Sequence, residues 1–207
     1  MNIGLILLQV VALFMALTFH EFAHGWIARR LGDHTAEAQG RLTLNPKDHI
    51  DPFGTLLLPA LLILMKSPVV FGWAKPVPID PRNFQDPRRG MMWSALGGPV
   101  TNLFLAAVMA LVFKGMVTAG IAVKGLLLFL IIGIQLNVFL AILNLIPIPP
   151  LDGGRVLVGL LPARQALAYS RIEPYGFMIV LALLYFNVLD RFFFYPIQLI
   201  LRFLGIG

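Results

Sequence analysis

His20-Glu21-Phe22-Ala23-His24 sits near the end of an apolar run that begins at Ile3. On a helix the two histidines are four residues apart, so they share one face and can grip one metal ion. Glu21 lies about 100° round the same helix, near enough to reach a water on that metal. The H-E-x-x-H spacing combines two imidazole ligands with a carboxylate general base, the set that zinc-dependent peptide hydrolysis uses. The pentapeptide alone is short and recurs in helices that bind nothing. Its setting makes it specific, because three ionisable groups in five residues at membrane depth are expensive and mark function. A haem fits less well: residues at i and i+4 cannot ligate both faces of one ring.

The surrounding composition fixes that setting. Of 207 residues, 58% are hydrophobic and 13% charged, with a mean hydropathy of +0.84. This is the composition of an all-α polytopic membrane protein, with room for about five to six transmembrane helices. Residues 1–207 read as one transmembrane domain, since no polar stretch is long enough for a separate soluble one. Cysteine is absent, which excludes disulfides, thiolate ligands and a cysteine nucleophile. The net charge of +6 reads as loop topology, and the charges form no stripe suited to nucleic acid. The first apolar run has no basic region before it and no small-x-small cleavage site, so it is expected to be a retained span.

Working outward, the first helix is expected from about Ile3 to Leu31, roughly 29 residues or ~43 Å. Arg29 and Arg30 flank its end and no basic residue flanks its start, which predicts an outside N-terminus and a cytoplasmic Arg29. His24 and His20 then lie ~7 Å and ~13 Å deeper, toward the cytoplasmic side. Residues 36–52 read as a polar loop. His49 and Asp51 in it are candidate extra ligands, with solvated loop residues as the expected state. Phe53 to Met65 is short for a span, and Val69 to Ile79 is proline-broken and extended. Residues 53–80 therefore predict a short helix plus a short membrane-inserted strand or hairpin beside the site, with a plain short span and loop as the equal alternative. Such a strand edge could pair with an extended substrate.

A span from about Gly90 to Phe113 carries Gly97-Gly98-Pro99-Val100-Thr101-Asn102, small residues that permit close helix contact and an amide that needs a partner. The next span, about Gly125 to Leu145, contains Gln135, Asn137 and Asn144. It breaks at Ile146-Pro147-Ile148-Pro149-Pro150, and Leu151-Asp152-Gly153-Gly154-Arg155 follows. Prolines stop the helix, two glycines allow unusual backbone, and Asp152 is aimed from a non-helical corner. Arg155, Arg164 and Arg171 put that corner on the side of His24. Asp152 can then be the third zinc ligand, with the fourth position left to water; the alternative is a plain helix cap. Residues 175–189 predict another span, and Phe192 to Leu204 a short span or interfacial helix. Phe192-Phe193-Phe194-Tyr195 within it reads as an interfacial belt rather than a gate.

Taken together, His20-Glu21-Phe22-Ala23-His24, Gly97-Gly98-Pro99-x-x-Asn102 and Asn144-x-x-Pro147-x-Pro149-x-x-Asp152-Gly153-Gly154 resemble the site-2 protease family of intramembrane zinc metalloproteases. The likeness runs over about residues 3–165. It implies that His20, His24 and Asp152 hold one Zn2+ and that Glu21 is the catalytic base. It implies that Asn144 and Asn102 hold the substrate backbone or support the zinc corner. It further implies a multi-pass protein of the cell membrane that cleaves single-span membrane proteins after a first cut by another protease. The chain departs from many such proteins in showing no PDZ or CBS domain and in carrying the Asn45-Pro46-x-x-His49-x-Asp51 loop, which leaves substrate choice open. Two rival readings are a divalent metal transporter and a non-catalytic scaffold that binds membrane proteins. A transporter should show polar residues in both leaflets or an inverted repeat, whereas the ionisable residues here cluster on one side. A dead scaffold would have lost Glu21 or a ligand.

Overall fold

The structure, a computed structural model, describes residues 3–65, 72–186 and 190–206. Three of its helices are long and apolar enough to cross a membrane: α1 (Ile3–Arg30), α4 (Pro87–Thr118) and α5 (Lys124–Asn144). Between the first two lie α2 (Thr35–Ala38) and α3 (Leu58–Leu64); after α5 come α6 (Asp152–Leu160), α7 (Ala163–Ser170), α8 (Glu173–Tyr185) and α9 (Asp190–Phe203). The shorter apolar helices, Pro52–Leu62, Glu173–Leu183 and Phe193–Phe203, fall below the length of a bilayer core. Three membrane-length helices, rather than five to six, are therefore present among the described residues.

Local chemistry explains the ends of the long helices. Arg29 and Arg30 occupy the last turn of α1, where cations meet the exposed carbonyls. α4 starts at Pro87, behind Asp86, whose carboxylate accepts the Arg88 and Arg89 backbone N–H groups. An acidic cap followed by proline at the first helical position is a favoured helix start. Gly120, at φ 69°, turns the chain after α4 in the left-handed conformation that glycine adopts without strain. α5 stops where Pro147, Pro149 and Pro150 can no longer donate to the ladder.

α4 is the central helix, packed against α1, α5 and α6, while α9 covers α5. Ala106, Met109 and Ala110 of α4 meet Leu130, Ile134 and Val138 of α5 in the buried core. The α1–α4 contact is closer still: a Cβ on Gly97 would stand 3.1 Å from the Ala23 carbonyl oxygen and 2.7 Å from Ile27 Cδ1. The opposite face of α4 leaves Val100, Phe104 and Leu111 mostly exposed, a surface suited to lipid and not to water. The chain is an integral membrane protein.

No strand occurs among the described residues, so the expected strand or hairpin within 53–80 is not seen there, and the described part follows the alternative of a short helix and a loop. Residues 66–71 of that stretch fall outside the described residues. Gly72 to Asp80 has no regular secondary structure and no ladder partner. Pro76 and Pro78 have no N–H to give to one, and the N–H groups of Trp73, Lys75, Val77 and Asp80 go to loops and side chains.

Candidate metal centre

Two helices supply the side chains of the site. α1 supplies His20 and His24, both buried, and α6 supplies Asp152, also buried. His20 Nε2 and His24 Nε2 are 3.0 Å apart. Asp152 Oδ2 is 3.1 Å from the first and 3.3 Å from the second. Asp152 is the first residue of α6; Leu151 holds the cap position and makes no side-chain capping bond, so Asp152 is not spent as a helix cap. Gly153 and Gly154 are helical, not unusual in backbone as expected from sequence. Their role is space: a Cβ on Gly153 would strike the Leu145 and Ile146 carbonyls, and one on Gly154 the Pro149 nitrogen. The Tyr169 hydroxyl donates to the Pro147 carbonyl and secures the corner from α7.

The outer nitrogens of both imidazoles are committed. His24 Nδ1–H donates to the Ser94 carbonyl at 2.7 Å, and Ser94 Oγ–H returns a bond to the His24 carbonyl at 2.9 Å. His20 Nδ1–H donates to Asn102 Oδ1 at 2.6 Å. With the protons on Nδ1, each Nε2 presents a lone pair. Two imidazole lone pairs and a carboxylate oxygen therefore face one another, and Asp152 Oδ2 is buried with no hydrogen-bond donor. Three acceptors so placed repel unless a cation lies among them. Donors around one tetrahedral zinc at ~2.0–2.1 Å stand ~3.3 Å apart, close to the spacings observed. The residues fit a single Zn2+.

α4 shapes this pocket with small residues one or two turns apart. Ser94, Gly97, Gly98 and Asn102 are all buried. A Cβ on Gly98 would lie 2.5 Å from His20 Cε1 and 2.6 Å from the Nε2 atoms of both histidines. Asn102 is fully enclosed, and its Nδ2 donates to the Ala16 carbonyl at 3.1 Å and to Asn137 Oδ1 at 2.8 Å. Ser94 and Asn137 were not singled out from the sequence as site residues. Ser94 was detectable in principle, since it shares the Gly97-Gly98-Asn102 face at helical spacing; Asn137 had no signal beyond being polar in a span.

Glu21 is half-buried beside the triad and does not join it. Its Oε2 accepts the Val77 N–H at 3.0 Å. Val77 belongs to the irregular segment 72–80, which several bonds tie down. Trp73 N–H donates to the Gly54 carbonyl and Lys75 N–H to the His49 carbonyl. The Thr55 hydroxyl donates to the Trp73 carbonyl, and Arg41 Nη2 to the carbonyls of Lys75 and Pro76. Asp80 N–H donates to Asp33 Oδ2 at 2.8 Å. The donors at 73, 75 and 77 are thus consumed, and positions 76 and 78 are prolines. The carbonyls at 73, 75 and 76 are engaged as well, so the backbone groups at 73, 75 and 76 are not open to an incoming strand.

The remaining candidates are dispersed. His49 is buried, not solvated: its Nε2–H donates to the Thr43 carbonyl at 2.9 Å, and it anchors the segment through its own carbonyl. Asp51 caps the turn Pro52–Leu57 by accepting the Phe53 and Gly54 N–H groups. Neither belongs to the His20–His24–Asp152 cluster. Asn144 is half-buried near the end of α5, and its Nδ2 donates to the Leu140 carbonyl at 3.0 Å. Asp33, just past α1, is 1% exposed. Burial opposes its charge, but hydrogen bonds from Thr35, Asn83 and the Asp80 N–H outweigh it and hold the carboxyl below its usual range.

Comparison with known proteins bears on this geometry. The signature of Peptidase family M50 matches residues 113–187, a stretch that includes Asp152 and Asn144. The YwhC protein of Bacillus subtilis, classed by name among zinc metalloproteases, is 41% identical over 179 residues, which is 84% of this chain and 78% of YwhC. Rip2 of Mycolicibacterium smegmatis, of the same naming class, is 31% identical over 99% of this chain and 77% of its own length. Rip2 of Mycobacterium tuberculosis strain H37Rv is 30% identical over 92% of this chain and 71% of its own. No solved structure matches the chain.

Proposed function

This chain belongs to peptidase family M50 and is a zinc-dependent peptidase, and from that premise we propose that it is an intramembrane endopeptidase. Its substrates in this reading are single-span membrane proteins, cut within or near their transmembrane segments, as in regulated intramembrane proteolysis. The observation that carries the proposal is the position of the triad. Three lone pairs converge inside a bundle of membrane-length helices, with a carboxylate one residue from the first ligand.

His20, His24 and Asp152 are the proposed ligands. Zinc, when bound, supplies Lewis acidity, which makes water nucleophilic near neutral pH and polarises a peptide carbonyl. Glu21 is the proposed base: Val77 N–H holds Oε2, which leaves Oε1 to take a proton from the attacking water and pass it to the leaving amine. The scissile C–N bond then breaks as the new C–O bond is completed, giving a free carboxylate and an amine. Asn144 is the proposed contact to the substrate backbone. Asn102 has its polar atoms occupied by His20, Ala16 and Asn137, which favours support of the zinc corner over contact with substrate. A helical substrate must unwind before attack, because its carbonyls are tied in i→i−4 bonds. The basic residues near the end of α1 and after α6 support an outside N-terminus and a site nearer the cytoplasmic face of the cell membrane.

The direct test is zinc content and cleavage of a transmembrane reporter in detergent, for the wild type and Glu21→Gln. About one zinc in each, with cleavage by the wild type alone, is the expected result. Absence of zinc from both would overturn the proposal at its first step.

A further inference from the structure

The two imidazoles are held in different ways. His24 Nδ1 meets a backbone carbonyl, Ser94 O, which sits in a helix and cannot turn round. His20 Nδ1 meets a side-chain amide, Asn102, which can rotate by 180° and offer NH2 in place of oxygen. In the flipped state His20 Nδ1 would have to accept, its proton would move to Nε2, and that proton would occupy the ligand position. Whether His20 can bind a metal therefore depends on what prevents the flip.

Asn137 provides the restraint. It lies on α5, which carries no metal ligand, and is 0% exposed, as is Asn102. Its Nδ2 donates to the Gly133 carbonyl, one turn back on the same helix, at 2.8 Å. Because that carbonyl is backbone, the Asn137 nitrogen is fixed as the donor and Oδ1 is left to accept. Oδ1 takes one Nδ2 proton of Asn102 at 2.8 Å, and the Ala16 carbonyl takes the other at 3.1 Å. Asn102 can then present only oxygen to His20. Starting from one carbonyl of α5, each group fixes the orientation of the next, ending at the Nε2 lone pair. Packing supports the same arrangement: a Cβ on Gly133 would stand 2.9 Å from Met109 Sδ, and Met109 Sδ in turn lies 4.0 Å from Asn137 Nδ2. An amide enclosed this deeply in an apolar span is costly to keep unless its bonds serve a purpose.

We propose that Asn137 is a positioning residue for the metal centre: through Asn102 it fixes the tautomer and ring orientation of His20. This rests on the reading of His20 as a zinc ligand. Outer partners of this kind typically change metal affinity by about 10–100-fold.

The test measures zinc affinity of the metal-stripped full chain in detergent, by competition with a chromophoric chelator. Five proteins are compared: wild type, Asn137→Leu, Asn102→Leu, the double variant and, as the conservative control, Asn137→Asp. Asn137→Leu should bind zinc about 10–100-fold more weakly. The double variant should be no weaker than Asn102→Leu alone, because Asn137 acts through Asn102. Asn137→Asp, whose protonated acid both accepts and donates, should stay close to wild type. Wild-type affinity in Asn137→Leu, or losses that add in the double variant, would overturn the proposal. If Asn137→Leu does not fold, Asn137→Ser replaces it, and equal affinities of the Ser and Asp variants would also overturn it. Failure of the ligand reading looks different: Asp152→Ala and His20→Ala would then bind zinc as the wild type does.

Discussion

The backbone N–H of Val77 donates to Oε2 of Glu21 at 3.0 Å, across 56 residues of sequence. Val77 is buried against α1, where a Cβ on Gly25 would stand 2.8 Å from its Cγ1. The contact aims the carboxylate as well as joining the segment to the helix. An amide in place of the acid can still accept from Val77, so Glu21→Gln separates geometry from chemistry. Glu21→Gln should keep zinc and the segment in place while cleavage falls by about 10²–10⁴-fold. Glu21→Ala should lose cleavage equally and also leave Val77 N–H unpaired, with faster limited proteolysis at 72–80. Reporter cleavage and proteolytic mapping read the two effects; residual cleavage by Glu21→Gln near wild type would remove Glu21 as the base.

Asp152→Ala should abolish tight zinc binding. The two Nε2 atoms remain 3.0 Å apart, but two neutral imidazoles hold zinc far less well than a set completed by a carboxylate. Elemental analysis of the purified variant checks this. Full occupancy would take Asp152 out of the ligand set.

Gly98→Ala probes the pocket from the opposite helix. The added methyl would stand 2.6 Å from both Nε2 atoms, inside any ordinary carbon–nitrogen contact. Neither ring can swing away without breaking its Nδ1 bond to Asn102 or Ser94. The variant should fold, because α4 gains helix propensity from alanine, yet bind zinc at least about tenfold more weakly. Zinc titration beside a thermal melt in detergent distinguishes this from general destabilisation. Unchanged affinity would mean that α4 moves back from the histidines.

The metal ligands were legible because their constraint is local or nearly so. His20 and His24 share a helix, and Asp152 follows a proline corner whose break any reading of the chain detects. The role of Gly153 and Gly154 was misread for a physical reason. Sequence shows that glycine is present but not whether its use is a positive φ or a missing Cβ; here the neighbouring carbonyls of Leu145 and Ile146 decide for the latter. His49 reads as a loop polar residue in sequence, but it is buried, with its side chain bonded to the Thr43 carbonyl and its own carbonyl taken by the Lys75 N–H. Of the strand expected near 69–79, the described part, 72–79, forms no ladder, because a segment becomes a strand only when a partner accepts its ladder. Here its donors meet Gly54, His49 and Glu21 one at a time. Asn137 was invisible as a site residue because its partner lies 35 residues away on another span.

Acid should loosen the segment that holds Glu21, through Asp33. Its Oδ1 accepts from Thr35 N–H at 3.0 Å and Asn83 Nδ2 at 2.7 Å, and its Oδ2 from Asp80 N–H at 2.8 Å. Those bonds prefer the charged carboxylate, and the folded pKa lies below the ordinary value of 3.8. A depressed folded pKa means that stabilisation is complete above the unfolded value and is lost as pH falls through the folded one. The window therefore opens just under pH 4 and extends downward. Asp80 ends the segment and Asn83 belongs to the turn that follows it, so weakening there frees the end of the segment beyond Val77. Asp33→Asn should show this loss at neutral pH, because an amide turns one acceptor into a donor facing another donor, at a cost on the order of 1–3 kcal/mol. Asp80 is held at about 2 by Arg82 and titrates in both proteins, so the difference between two melting curves isolates Asp33. The wild type should lose its advantage over Asp33→Asn between pH 4 and lower values. Curves that stay parallel through that range would show that the Asp33 charge contributes nothing to holding the segment.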